Sequence, residues 1–224
     1  MTTLQQRIAT DSRYLLASFP VTLVTFPLVV AGVSAGLGAA VVFVGLPVLA
    51  ATAALARNVA DAERAELPGV LGRPVGRPRY REAPEWAGWF RRMMNPLLSG
   101  QAAWDVLHAI AAFPLAIAGF VVAAVWWTGT IAGLTFPLYG WILAGIPGAV
   151  ESTLPDLLGF TATPATFVVW HTVLGLLFAA TLMPVLRGAA LVRASLAEVM
   201  LTRPVSTRPV TAPHIVDPRF TRTA

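Results

Sequence analysis

From Tyr14 to Ala56 the chain runs for forty-three residues without an Asp, Glu, Arg or Lys, and Val106 to Val150 and Leu157 to Leu186 repeat the pattern. Each stretch exceeds the roughly 20 residues that cross a 30 Å hydrocarbon core. Only 12% of the 224 residues are charged, against about 25% in soluble proteins, and mean hydropathy is +0.70. These features predict a membrane protein. A cleavable signal peptide is not expected, because its apolar region is only about 7 to 15 residues long.

The sixteen basic residues are all Arg and fall into three groups. Arg7 and Arg13 precede the first apolar block, and Arg57, Arg64, Arg73, Arg77, Arg79, Arg81, Arg91 and Arg92 lie between the first and second. Arg187, Arg193, Arg203, Arg208, Arg219 and Arg222 follow the last block, while the segment from Glu151 to Thr166 has acids and no base. The positive-inside rule then predicts cytoplasmic termini and a cytoplasmic central loop. The net charge of +5 is explained this way without nucleic acid. The absence of Cys removes disulfides, thiolate chemistry and Cys metal sites together.

An even number of spans is expected on each side of the central loop. The first block divides into two, with "GVSAGLG" (Gly32 to Gly38) as the external turn. The later blocks supply two more, with an external insert at 129–166 whose apolar first half lies at the interface or dips back. "SFPVTLVTF" (Ser18 to Phe26) and "AFPLAIAGF" (Ala112 to Phe120) place Phe-Pro 94 residues apart, and "LGRPV" (Leu71 to Val75) is echoed by "LTRPV" (Leu201 to Val205). The expected fold is an all-α membrane protein of four transmembrane helices, arranged as two tandem parallel hairpin repeats, each followed by a cytoplasmic amphipathic helix. Its parts are an N-terminus (1–13), a first repeat (14–75), a loop with an interfacial helix (76–105), a second repeat (106–205) and a cytoplasmic tail (206–224).

"LARNVADAERAEL" continues a helical pattern beyond the membrane, with Arg57, Asp61 and Arg64 at pairing distance. It reads as a stalk, as does the stretch from Arg187 to Leu201. "EWAGWFRRMMNP" sets Trp86, Trp89, Phe90 and Met93 on one face beside Arg91 and Arg92, the composition of an interfacial helix. The ordered motifs, Phe-Pro span, "VGLPVLA" span, stalk, "LGRPV", then Trp104-Asp105 before a second Phe-Pro span, resemble the sensor domain family of actinobacterial signalling proteins. The resemblance covers roughly Tyr14 to Val205 and implies a signalling role, as a stand-alone member without the histidine kinase that often follows the domain. It implies no established ligand.

His171 is an ionisable group deep in an apolar span, where such groups are functional candidates; a hydrogen bond to another helix is the plainer role. Trp126, Trp127, Tyr139 and Trp141 gather with Phe136 near the expected outer boundary and, with His171, form the candidate ligand site. Interfacial anchoring is the plainer role for the aromatics. Arg57, Arg64, Arg187 and Arg193 are the candidate partner-docking residues on the stalks. His108 and Asp105 are within one helical turn of each other. Glu151 and Asp156 alone are too few for a metal site, and no metal or other cofactor is expected. Gly32, Gly36 and Gly119 are expected to let helices approach closely.

The leading expectation is a non-enzymatic sensor or signalling subunit of the cell membrane that passes an external or bilayer stimulus to a separate cytoplasmic signalling protein, a histidine kinase or a second copy of itself. A structural accessory subunit of a larger membrane complex is the alternative. A transporter would need more intramembrane polar groups, and no nucleophile–base pair marks a lipid-modifying enzyme.

Overall fold

The computed structural model describes residues 4–40, 43–76, 78, 84, 86–150, 158–159, 161 and 163–202. Arg77, Arg79, Arg81, Glu151, Asp156, Arg203, Arg208 and the tail 206–224 lie outside the described residues. The described residues are helical, with no strand among them: α1 (Leu4–Gly38), α2 (Gly45–Leu71), a short α3 (Trp89–Met94) followed by a 3-10 turn (Asn95–Leu98), α4 (Gly100–Ala144) and α5 (Pro164–Leu201).

Local chemistry sets several of these boundaries. Gly72, in the left-handed region at φ 71°, ends α2 and donates its N–H to Pro68 O, a conformation glycine adopts without steric cost. Thr163 caps α5 by accepting from Thr166 N at 3.1 Å, with Pro164 at the first position, where the missing N–H costs nothing. Pro20, Pro27, Pro114 and Pro184 lie inside α1, α4 and α5, so the Phe-Pro pairs are internal to continuous helices.

α1, α4 and α5 are long and apolar enough to cross a membrane. α2 falls short of that standard. Its charge-free part, Gly45 to Ala56, is about 18 Å of helix before Arg57 begins its charged half. The four expected spans therefore appear as three such helices and a partner that is apolar over less than half its length.

The reversal between α1 and α2 is displaced from its expected place. Helix α1 continues through Gly38, because Gly32 and Gly36 are used as contact points: a side chain at either would strike Thr52 or Leu49 of α2. Gly119 likewise faces Leu15, so the expected close approaches are present at all three glycines.

The apolar segment after Gly129 neither dips back nor turns along the interface. It prolongs α4 to Ala144, giving 45 residues and about 68 Å. The reason is contact with α5: Gly133 meets Gly175 backbone to backbone, with no space for a Cβ on either. Phe136 packs nearby on Phe167. α2 and α5 run unbroken into their charged segments.

Direction departs most from the sequence reading. Phe19 stacks on Phe120 with ring centroids 4.4 Å apart, and Phe26 on Phe113 at 4.1 Å. Trp127 Nε1 donates to Ser12 Oγ at 3.0 Å. Numbers rise along α1 as they fall along α4, so the two Phe-Pro segments pack antiparallel. Parallel repeats would bring both in the same way, and that arrangement is corrected here. α5 runs against α4, with Trp126 Nε1 bonded to Thr181 Oγ1 at 3.0 Å, and therefore runs along α1.

The main core joins all four long helices through Tyr14, Leu15, Ala60, Leu67, Ala123, Leu186, Ala190 and Leu201 among others. α3 stays at the periphery: Trp86, Trp89 and Phe90 are exposed, with Arg91 over the Trp86 ring.

Candidate functional site

Charged residues occupy apolar stripes in three of the long helices. On α2 the buried positions include Ala53, Ala56, Ala60, Arg64 and Leu67; on α4 Ala102, Asp105, Ala109 and Ala112; on α5 Leu186, Ala190, Arg193, Ala194 and Ala197. These spacings of three and four put Arg64, Asp105 and Arg193 on the packed face of each helix. Burying a charge is costly unless it is paired and hydrogen-bonded, and all three are.

Asp105 is wholly buried. Its Oδ1 accepts from Arg64 Nη2 at 2.5 Å and from Gln101 Nε2 at 3.1 Å. Arg64 uses Nη1 on Asp61 at 2.6 Å and Nε on Leu201 O at 3.0 Å, while Gln101 also reaches Met200 O at 3.3 Å. Leu201 ends α5, and the last carbonyls of a helix lack internal donors and carry its negative end. One arginine thus satisfies a buried carboxylate and closes the end of another helix.

The same device occurs in the opposite sense. Arg187 of α5 donates through Nη1 to Asp11 Oδ1 at 3.1 Å and to Val70 O at 2.6 Å, one residue before α2 ends. α2 therefore supplies the arginine that closes α5, and α5 supplies the arginine that closes α2.

Between these two locks sits Glu63. Its Oε1 accepts from Arg193 Nε and Nη2 at 3.2 and 3.1 Å and from the Tyr14 hydroxyl at 3.0 Å. Its Oε2 lies 3.5 Å from His108 Nε2. Arg193 Nη1 also donates to Ser18 Oγ, and the guanidinium lies 5.1 Å from the Tyr14 ring centroid, a cation–π distance. One carboxylate on α2 touches α1, α4 and α5 at once.

The docking assignment for Arg64 and Arg193 is corrected by these contacts. Each is only 4% exposed and its guanidinium is spent inside the fold, leaving none of it to meet a partner. Arg187 is mostly committed as well, at 24% side-chain exposure, and Arg57 is the most open at 37%, lying 3.9 Å from Asp61. His108 finds its partner in Glu63 rather than through its spacing from Asp105.

The expected ligand site divides. Tyr139 and His171 meet through Phe136, on which the His171 ring stacks at 4.4 Å. His171 Nδ1 is 2.8 Å from Phe167 O in its own helix, so its polar contact is within α5 rather than to a neighbouring helix. Trp126 packs edge-on against Phe178, and Trp127 bonds to α1; both act as struts between helices. Trp141 is 54% exposed and faces away. Among the described residues no ring contact or hydrogen bond joins Trp126 or Trp127 to the group of Phe136, Tyr139 and His171.

Glu63, Tyr14, Gln101 and Asp11 were not singled out from the sequence. Their partners carried a signal, since Arg64 and Arg193 each fall on the apolar stripe of their own helix, but the acids and hydroxyls belong to distant segments and nothing local points to them. Among the described residues no cluster of three or more His, Cys, Asp or Glu side chains has metal-binding geometry.

No curated protein and no solved structure matches the chain. A family model described as "Putative sensor" matches residues 14–201, which takes in both Phe-Pro segments, Glu63 and, apart from Asp11, the residues of both locks. The chain belongs to that sensor family.

Proposed function

We propose that this chain is a non-enzymatic membrane sensor whose response is a shift of its two helical hairpins against each other, passed to a separate cytoplasmic protein or a second copy of the chain. The supporting observation is Glu63, held by Arg193, Tyr14 and His108 from three other helices. A displacement of any one helix changes a contact made by the same carboxylate. Two discrete arrangements of such a network are what a transmitted signal requires.

Output follows from the continuity of α2 and α5 with their charged segments. Val192 and Val199, seven residues apart on α5, are 66% and 61% exposed and are the positions at which a partner would be felt. Photocrosslinking from both, in cells, tests this reading. A second copy or a specific protein should be captured; products containing lipid alone would remove the route for output.

Topology turns on direction. The arginine distribution favours four crossings with both termini in the cytoplasm. The opposed directions of α1 and α4 favour a second reading of three crossings, by α1, α4 and α5, which alternate as consecutive spans must. Single-cysteine labelling at position 77 separates the readings: the same side as the N-terminus for four, the opposite side for three.

A further inference from the structure

Beside Glu63 a cavity of about 130 Å³ opens between α1 and α2. Its inner wall holds Tyr14, Ser18, Glu63 and Arg193, and its sides are Val21, Val59 and Ala62. Glu66 stands at its edge, exposed, with no hydrogen bond or ion pair to any described residue. Glu63 and Glu66 are three apart on α2 and share a face. Two carboxylates against one arginine leave the polar end with a net negative charge.

The opposite end of the cavity leads along α1. Val21, Val24 and Leu28 are 51%, 61% and 53% exposed, and their spacing of three and four makes one apolar strip. Acid at one end and an uncovered hydrocarbon strip at the other define the chemistry of an occupant. The cavity has room for a head group and its first methylenes, since a water takes about 30 Å³ in the liquid. A chain of further methylenes would lie on the strip.

We infer that this cavity binds a single-chain lipophilic cation, its ammonium group on Glu66 beside the Glu63–Arg193 pair and its alkyl chain along Val21, Val24 and Leu28. A neutral or anionic amphiphile of the same length lacks the charge complement. The cation would stand next to the Arg193 guanidinium and compete with it for Glu63, which gives the ligand a means to loosen that contact. This consequence rests on the sensor reading; the binding does not.

Binding is measured on the purified full chain in a neutral detergent, following thermal unfolding with dodecylammonium, dodecanol and dodecyl sulfate. Dodecylammonium should raise the transition saturably, since a ligand of the folded state stabilises it, at concentrations where dodecanol does nothing; a lowered transition would count against the site. Glu66→Gln should weaken the response roughly tenfold, the effect of about 1.4 kcal/mol, and Ala62→Phe should abolish it by filling the cavity. Both positions are exposed, so the variants should fold like the parent. Equal responses to all three amphiphiles, or an unchanged response in both variants, would overturn the site. A saturable response with no change in crosslinking from Val199 would keep the site and remove the sensor consequence.

Discussion

Arg64 donates to Asp105, 41 residues ahead of it, and Arg187 donates to Asp11, 176 residues behind it. In both pairs the arginine also caps a carbonyl near the end of another helix, Leu201 O for Arg64 and Val70 O for Arg187. Asp11 and Asp105 are 94 residues apart, the same interval that separates Phe19 from Phe113 and Phe26 from Phe120. Moving by that interval turns the stacked pair Phe19–Phe120 into Phe113–Phe26, the other stacked pair. The two Phe-Pro segments thus stack on each other through matching rings, and α2 and α5 each supply an arginine to the last turn of the other.

Buried pairs of this kind are sensitive to the loss of one member. Removing one partner strands the other in a low-dielectric site at a cost of about 3–5 kcal/mol. Arg64→Ala and Asp105→Asn are each expected to lower the thermal midpoint in detergent sharply. Arg57→Ala removes a half-exposed partner worth about 0.5 kcal/mol and should scarcely move it. Equal effects at positions 57 and 64 would show that Arg64 is not buried as described.

The long apolar helices were legible in the sequence; their relative direction was not. The Phe-Pro doubling and the long charge-free blocks need only composition and spacing, and they identified α1, α4 and α5. Direction depends on which face of Phe19 meets which helix, and Phe113 and Phe120 offer it the same ring. Likewise Gly32 to Gly38 read as a turn because glycine permits one, yet Thr52 and Leu49 press on Gly32 and Gly36 from α2, a fact held in the next helix. Arg64 was visible as a charge at pairing distance from Asp61, which is correct, but Asp105 and Leu201 decide its burial.

Direction can be tested in a chain that has no cysteine. Phe26→Cys with Phe113→Cys should form a disulfide readily, and Phe26→Cys with Phe120→Cys should not. The opposite result would place the Phe-Pro segments parallel and support four crossings with cytoplasmic termini, as the arginines call for.

The Glu63–Arg193 pair admits a charge exchange. Glu63→Arg alone places like charges together in a buried site, and Arg193→Glu alone does the same with the other sign. Combining them restores attraction though not the hydroxyl contacts of Tyr14 and Ser18. The double variant should therefore recover part of the midpoint lost by either single one, a coupling of about 0.5–3 kcal/mol. Strict additivity of the two losses would mean that the side chains do not interact.

Gly133 and Gly175 set the closest approach in the α4–α5 hairpin, where a Cβ on one would strike the backbone of the other. Backbone cannot swing aside as a flexible side chain can, so Gly133→Val must part the helices and disturb the adjoining contacts of Phe136 with Phe167 and His171. Overpacking of this kind costs typically 1–3 kcal/mol. Gly188 supplies the control: it is on the same helix as Gly175 and has nothing within 4 Å of a built Cβ, so Gly188→Ala should hold or raise stability, by up to about 1 kcal/mol from helix propensity. Thermal unfolding of both variants in one detergent decides the matter. A Gly133→Val protein as stable as the parent would mean that α4 does not run beside α5 past Gly129, and would return that segment to the outer interface where its sequence alone had placed it.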